Sequence, residues 1–497
     1  MKKHLTPEKL TGLYALFLLT VFLLWTPATG YSPIVAPKHR LFLVSAGVYF
    51  GGLAVLWLLR RPKVTLPAWS LFLTGGLLLC FFLSSVLSAH QDLVWLGDRR
   101  GEGFLILTIY LGIFLTMAAF GKLGKPHRWA AAVTSIVMFL LVLAQFWGKN
   151  PLGLYPSGLC FHDRGTRYSG EYLGTIGNSD LLSALLTMLC LYLLGAYATE
   201  PGRDRWFFLL GSGCAWGALL LSEVAAGPVA VLGCLALALP VCVKKGLGLG
   251  SMGQIGLVLA LGALGKSVLG YEYTDGVLRV FFRFSPFSGV FLTLALICAA
   301  ATVLLRHLPE QGGYPRAAKV IWTLYLLVIL VVLLFLFFYT GSNEALGGFH
   351  QLLRGHPPDT LGSSRIAIWK EAVELGRQEV LLGGGPDTYN RRSELVFTRE
   401  LESGHVRRNG VDVAHNEYLN LWVNTGLPSM LLFLALIGKV LTSAIRRVDD
   451  RSLSLLLPSM GYAIHALFGI SQSLVSPLYY LFLGALVCTV RNAPENC

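Results

Sequence analysis

An arginine in the last third of the chain stands where its side chain could bind an anion. Arg365 follows Ser363 and Ser364, which can cap a helix, so we expect the arginine in the first helical turn. A positive charge there opposes the helix dipole and should be offset by something anionic. Its guanidinium group and the free N–H groups of the helix start could together hold a phosphate. Arg365 is therefore a candidate anion-binding residue, and the alternative is an exposed surface arginine.

A histidine follows fifty residues later, at the entrance of another apolar segment. His415 opens the stretch HNEYLNLWVNTG, in which Asn416, Asn420 and Asn424 recur at four-residue spacing. Such a polar stripe must face protein or water rather than lipid. The pKa of an imidazole at a helix N-terminus tends to be lowered, which leaves it neutral and able to accept a proton near pH 7. We interpret His415 as a candidate general base with Asn416 beside it; the alternative is a structural histidine.

Two earlier segments also place polar side chains just before apolar helices. WLGDRRGEG, residues 95–103, contains Arg100, and the alternative to a binding role is a charge that snorkels at the membrane interface. RYSGEYLGTIGNSD begins at Arg167 and ends with Asn178 and Asp180, for which the alternative is helix capping.

The composition predicts that a membrane surrounds these residues. Of 497 residues, 54% are hydrophobic and only 13% are charged, which is too apolar for ordinary soluble cores. The formal charge of +13 comes from short basic clusters between apolar runs. These clusters indicate membrane topology, and no nucleic-acid partner is predicted. Most of the nine cysteines sit in apolar runs, and we find no disulfide framework, zinc spacing, P-loop or paired carboxylates for Mg²⁺. No metal or other cofactor is therefore predicted.

The apolar runs predict an all-α fold, a polytopic bundle of about fourteen transmembrane helices. The predicted spans are 11–29, 41–59, 68–88, 104–121, 129–147, 181–197, 206–222, 226–243, 253–270, 287–305, 318–340, 417–443, 453–470 and 474–490.

An even number of spans places both termini on one side of the membrane. With the N-terminus inside, the inner segments carry clearly more Lys and Arg than the short outer loops, as the positive-inside rule requires. The expected organisation is an N-terminal bundle of about eleven helices over 1–340, an extracytoplasmic loop over 341–414 with helical character of its own, and about three helices over 415–497. In that loop Ile366, Trp369 and Val373 share one helical face that ends near Gly376.

With these residues in view, the sequence resembles the O-antigen ligase and O-antigen polymerase superfamily of bacterial membrane glycosyltransferases. The motifs that carry the resemblance are SSRIAIWKEA, with Arg365 and Trp369; LLGGGPDTY; and AHNEYLNLWVNTGLP, with His415 and Asn416. Weaker similarity covers GDRRGEG, GTIGNSD and SQSLVSPLYYLFLGAL near the C-terminus.

The resemblance implies a GT-C-like helical enzyme in the bacterial cytoplasmic (inner) membrane, with a metal-independent active site on the extracytoplasmic side. It implies a glycan on undecaprenyl diphosphate as donor, a hydroxyl of a glycan, lipid or protein as acceptor, and membrane lipid as surroundings. Arg365 would then hold the diphosphate and His415 would act near the acceptor. Arg100, Arg167, Asn178, Asn416 and Trp369 are the expected substrate-binding residues.

The sequence departs from the family pattern at one place. Members often carry Ser-Arg-Gly after the helix pair that follows an Asn-x-Asn-like segment, whereas the corresponding residues 222–227 read SEVAAG here. Arg100 and Arg167 are the candidates to replace the missing arginine as a second diphosphate ligand. Two other classes of function remain open: a transporter or flippase of glycans, which fourteen helices with intramembrane polar residues would also suit, and a non-catalytic scaffold.

Overall fold

The computed structural model describes residues 5–162, 168, 170–274, 277–305, 313–400 and 406–492, and most of them are helical. Up to residue 340 the helices are α1 (Pro7–Phe17), α2 (Val35–Arg60), α3 (Ala68–Leu87), α4 (Phe104–Phe120), α5 (Lys125–Phe146), α6 (Ser179–Thr199), α7 (Asp204–Leu221), α8 (Ala226–Lys245), α9 (Met252–Val268), α10 (Pro286–Leu305) and α11 (Pro315–Phe337). A π-helical turn, Leu18–Phe22, continues α1, and a 3₁₀ turn, Leu249–Ser251, precedes α9.

Shorter helices follow before the chain ends in a second group of apolar ones. They are α12 (Glu344–Leu353), α13 (Arg365–Gln378), α14 (Tyr389–Arg392), α15 (Glu417–Thr425), α16 (Leu427–Arg446), α17 (Asp450–His465) and α18 (Ser476–Arg491). Two antiparallel hairpins interrupt the helical fold: β1 (Leu269–Thr274) with β2 (Val277–Phe282), and β3 (Val396–Glu400) with β4 (Val406–Gly410).

Many of the helices are long and apolar enough to cross a membrane. In the described part of the chain nine meet this criterion by length and composition: α2, α3, α5, α6, α8, Leu249–Val268, Phe287–Leu305, α11 and α16. The apolar helices α4 and α18 are shorter. The chain is thus a multi-pass membrane protein with a mainly helical fold, and the count of about fourteen spans stays a prediction.

Helix α6 is the centre of the bundle. Every residue from Leu181 to Tyr197 is buried, and the helix packs against α5, α7, α8 and α17. A helix that is apolar on all sides is stable only when other helices surround it. Its N-terminal end is thereby fixed in the fold.

The prediction of one continuous helix over 417–443 is wrong, because this region forms two helices, α15 and α16. Gly426 has φ +89° and separates α15 from α16. The carbonyl groups of Val423 and Asn424 accept hydrogen bonds from the N–H groups of Gly384 and Gly385 at 3.0 and 2.8 Å. Since these partners lie outside the helix, α15 ends there although the sequence remains apolar.

The start of α13 agrees with the sequence prediction, but its capping does not. The helix begins at Arg365, yet Ser364 has φ +64° and its side chain makes no capping hydrogen bond. The fully buried face of the helix is formed by Ile368, Ala372, Leu375 and Gly376. The predicted face of Ile366, Trp369 and Val373 is only half-buried, because the cluster of buried apolar residues that receives α13 lies towards α15 and Tyr389.

The two hairpins are additions that the all-α prediction lacked. The predicted span 253–270 ends as a helix at Val268, and the chain continues as β1, whose Leu269 pairs with Phe282. Both strands are rich in aromatic and β-branched residues, which favour extended structure.

Candidate active site

A polar cavity lies where segments from distant parts of the sequence meet. Its volume is about 660 Å³, and its wall includes Arg100, Asn178, Asp180, Asp412 and His415. This volume is in the usual range for a small-molecule pocket. The structure therefore brings together three of the predicted site residues, Arg100, Asn178 and His415.

Arg100 is held in this wall by a two-point ion pair with Asp412. Its Nε donates to Asp412 Oδ2 at 2.9 Å, and a terminal guanidinium nitrogen donates to Oδ1 at 3.0 Å. Burial would lower the pKa of Arg100, but Asp412 raises it above its usual value. Burial in turn would raise the pKa of Asp412, but Arg100 holds it below the usual range. Both groups are therefore charged, and Arg100 is anchored to protein rather than snorkelling towards water.

The segment that carries Arg100 is hydrogen-bonded to the glycine-rich turn, residues 383–387, which lies between α13 and α14. Oδ2 of Asp387, which follows Gly385 and Pro386, accepts hydrogen bonds from the backbone N–H groups of Asp98 at 2.7 Å and Glu102 at 3.2 Å. Asn390 adds a hydrogen bond to the carboxylate of Asp98 at 3.0 Å. Burial raises the pKa of Asp387 to about 6. These contacts join the GDRRGEG and GGGPD motifs into one unit.

Glu102 is buried behind this wall. Its carboxylate accepts hydrogen bonds from the hydroxyl groups of Tyr110 at 2.6 Å and Ser471 at 2.9 Å. Burial raises its pKa to about 7. Glu102 is therefore an internal link between α4, which contains Tyr110, and the segment before α18, which contains Ser471.

Arg365 approaches the cavity from the start of α13. A terminal guanidinium nitrogen lies 3.8 Å from Oδ1 of Asp180, and both side chains keep about a fifth of their surface exposed, 21% and 23%. The negative charge that Arg365 was expected to need is thus supplied in part by the protein. At this distance the pair is an ion contact without a direct hydrogen bond.

His415 lies beside the same carboxylate in a left-handed backbone conformation, with φ +46°. Its Nδ1 is 3.9 Å from Oδ2 of Asp180 and has no hydrogen-bond partner among the described residues. Burial lowers the pKa of His415, and so do Arg100 and Arg365, while Asp180 and Asp412 oppose the effect. The pKa is lowered, as the sequence predicted, but the largest cause is burial and not the N-terminus of the following helix.

Asn178 and Asn416 both act as helix caps. The Asn178 side chain accepts from the N–H of Leu181 at 2.9 Å, and Asn416 accepts from Tyr418 and Leu419 at 3.0 Å each. The capping alternative therefore holds for Asn178, although its side chain also lines the cavity. Asn416 directly follows His415 and fixes the start of α15.

One of the two remaining candidates, Trp369, is not part of the cavity wall. Trp369 packs its ring against Phe468, with ring centroids 6.1 Å apart, and its Nε1 is buried without a partner in the described structure. It is one helical turn beyond Arg365. Arg167 lies outside the described residues.

Three residues of the cavity wall were predicted from the sequence only in part or not at all. Asp180 stood beside Asn178 in a segment for which helix capping was the alternative, and it contacts both Arg365 and His415. Asp412, the partner of Arg100, was not noted. Gln472, whose buried Oε1 has no partner among the described residues, entered only as part of the motif SQSLVSPLYYLFLGAL. The position of Asp412 three residues before His415 was the available signal.

The cavity combines the groups needed for an anionic substrate and a proton transfer. Arg100 and Arg365 supply positive charge, the N-terminal end of α6 adds its dipole, and His415 supplies an imidazole. No group of three or more His, Cys, Asp or Glu side chains in the described chain is arranged to hold a metal ion.

Comparison with known families agrees with the motifs of the site. The sequence model of the O-Antigen ligase family matches residues 285–434, which contain α13, the glycine-rich turn and His415. No curated protein matches the sequence. The family match confirms the resemblance to the O-antigen ligase and polymerase superfamily.

Proposed function

Because residues 285–434 of this membrane protein carry an O-antigen ligase domain, we propose that the chain is a membrane glycosyltransferase. It transfers or polymerises a glycan from undecaprenyl diphosphate onto an acceptor hydroxyl at the outer face of the bacterial cytoplasmic membrane. The observation that carries this proposal is the placement of His415 and Arg100 in the wall of one cavity, where Arg365 reaches the wall residue Asp180.

The proposed reaction is a displacement at the anomeric carbon. The acceptor oxygen forms a bond to that carbon, the bond to the diphosphate oxygen breaks, and its electron pair leaves with the diphosphate. Because the transition state is oxocarbenium-like, the leaving group gains negative charge as the bond lengthens. Arg365 and Arg100 stabilise this charge, in the role that a metal ion fills in other enzymes. Direct displacement inverts the anomeric configuration.

His415 receives the proton that the acceptor hydroxyl loses. Its lowered pKa keeps the imidazole neutral near pH 7, as a general base must be. Since Nδ1 lies on the side of Asp180, Nε2 is the nitrogen assigned to the acceptor. Asn178 borders the donor region, Trp369 lies one helical turn beyond Arg365 outside the cavity wall, and Asn416 holds His415 in place through the cap of α15.

A reconstitution experiment tests the function directly. Purified protein in liposomes is given an undecaprenyl-diphosphate glycan and candidate glycan, lipid and protein acceptors. We expect free undecaprenyl diphosphate and glycosylated acceptor in equal amounts. A donor that stays intact but crosses between leaflets would instead establish a transporter, and a donor that is neither cleaved nor moved would favour a scaffold.

A further inference from the structure

We propose that Asp180 is a positioning residue of the active site, shared between the group that binds the donor and the group that accepts the proton. This inference rests on the proposed function. The two carboxylate oxygens face different partners: Oδ1 lies 3.8 Å from a terminal nitrogen of Arg365, and Oδ2 lies 3.9 Å from Nδ1 of His415. One carboxylate therefore stands between the arginine and the histidine.

The imidazole of His415 lacks a hydrogen-bond partner, among the described residues, on the side that faces Asp180. Nδ1 of His415 is buried and makes no hydrogen bond to any described residue. An approach of about 1 Å would let Nδ1–H donate to Oδ2 of Asp180, since hydrogen bonds of this type are about 2.7–2.9 Å long. That bond would fix the tautomer with Nε2 as the basic nitrogen, as a carboxylate does for histidine in other catalytic arrangements.

Asp180 is well placed to be the fixed member of the three. It lies in the first turn of α6, whose following residues are all buried, and the cap of that helix is made by Asn178 instead. The carboxylate is thus not needed as a cap. Arg365 by contrast has a long flexible side chain, which can turn from Asp180 towards an incoming diphosphate while the carboxylate stays beside His415.

The charged groups around His415 determine the sign of the expected effects. They are Asp180 on α6, Arg365 on α13, Arg100 before α4 and Asp412 in the segment before α15; His465 of α17 also lies near Asp180 and Arg365. Among them Asp180 favours the protonated imidazole and repels the diphosphate. Its removal should lower the pKa of His415 and make donor binding easier.

The test compares Asp180→Asn with wild type in the full-length protein. We expect kcat to fall at least about tenfold, because the base loses its orienting partner. The donor should bind about threefold to tenfold more tightly, because a like charge has left the diphosphate site. The pH at which kcat drops on acidification should move down by about one unit.

Two further variants separate this role from a structural one. Asp180→Glu restores the charge and should return donor affinity and the pH step most of the way to wild type. Asp204→Asn removes an acidic residue from the first turn of α7, where it pairs with Lys125 and is not part of the cavity wall, and should change neither quantity. Weaker donor binding with an unmoved pH step in Asp180→Asn would overturn the proposal. Absence of glycosyl transfer by the wild type would instead refute the proposed function itself.

Discussion

His415 is held in a backbone conformation that few side chains adopt. Its φ of +46° lies in the left-handed region, which costs a non-glycine residue of order 1–3 kcal/mol unless its surroundings impose it. The surroundings here are specific: the N–H of Ala414 donates to Asn420 at 3.2 Å, and the N–H of Glu417 donates to the carbonyl of Ala466 at 2.9 Å. These hydrogen bonds fix the backbone of His415 and so determine the direction of its imidazole. Strained residues held in this way are common at functional sites.

At the scale of this residue we predict the effect of His415→Ala. Turnover should fall roughly 10²- to 10⁴-fold, the usual contribution of a general base, whereas donor affinity should be retained because arginines hold the diphosphate. Single-turnover rates and donor binding measure the two quantities separately. A variant that fails only because the donor no longer binds would remove His415 from the role of base.

The pH dependence gives the same assignment a second test. His415 must be neutral to act, and burial lowers its pKa below the ordinary value of about 6.5. The wild-type rate should therefore be constant near pH 7 and fall only as the pH drops through that lowered pKa. The residual rate of His415→Ala should lack this step; a step that persists would belong to another group.

Arg365→Lys tests whether the donor site needs the shape of a guanidinium group as well as its charge. Lysine keeps the charge but loses the planar fork that grips a phosphate at two points. We expect at least about tenfold lower activity with normal membrane insertion. Full activity of Arg365→Lys would show that a positive charge alone suffices or that the diphosphate binds elsewhere.

At the scale of elements, the glycine-rich turn and α15 form one structural unit. The N–H groups of Gly384 and Gly385 bond to the last carbonyl groups of α15, and Arg392 donates to the carbonyl of Val423 at 2.9 Å. A Cβ on Gly383 would lie 2.5 Å from that same carbonyl oxygen. The close approach of the two backbones thus requires glycine, and it sets where α15 ends.

The break between α15 and α16 should be the most sensitive point of this unit. A Cβ at Gly426 would lie 2.0 Å from the carbonyl oxygen of Leu381, and φ is +89°. Gly426→Ala should therefore destabilise the protein by at least about 2 kcal/mol. Thermal unfolding in detergent measures the change.

Gly438→Ala is the matched control on α16. No atom lies within 4 Å of a Cβ at this position, and alanine is the better helix former. Its stability should be equal to wild type or higher by up to about 1 kcal/mol. Equal stability of the Gly426 and Gly438 variants would contradict the steric account of the break.

Helix α13 and the apolar helices could be predicted from the sequence because the residues that indicate each of them are neighbours in the chain. The start of α13 at Arg365 follows from neighbouring residues, whereas the end of α15 depends on hydrogen bonds from a turn about forty residues earlier. The contact between Arg365 and Asp180 joins residues 185 positions apart. Contacts of this kind arise from the packing of the bundle, so no local pattern could have indicated which residues Asp180 contacts.

At the scale of the whole molecule, the site is not contained in the region that matches the family. That region, residues 285–434, supplies Arg365, Asp412 and His415, but Arg100 and Asp180 come from before it. A fragment limited to the matched region would therefore lack the cavity. The cavity is lined by residues from both halves of the chain.

The distribution of the basic clusters predicts that residues 341–414 lie on the outer side of the membrane. Cysteines introduced at positions 355 and 400 should react with an impermeant maleimide in intact cells or spheroplasts, whereas one at position 447 should not. A background without reactive native cysteines is required. Labelling only at 447 would reverse the topology and place the cavity on the cytoplasmic side.

The size of the cavity has a consequence for product length. At about 660 Å³ it can enclose a diphosphate and the sugars next to the bond that breaks, but not a long glycan. The residues of its wall therefore meet only the reacting ends of the two chains, and a short glycan presents the same ends as a long one. If the proposed enzyme polymerises repeat units, successive additions should be statistically alike. Chain lengths would then be broadly distributed, with a mean set by the competition between growth and release rather than by any template in this molecule.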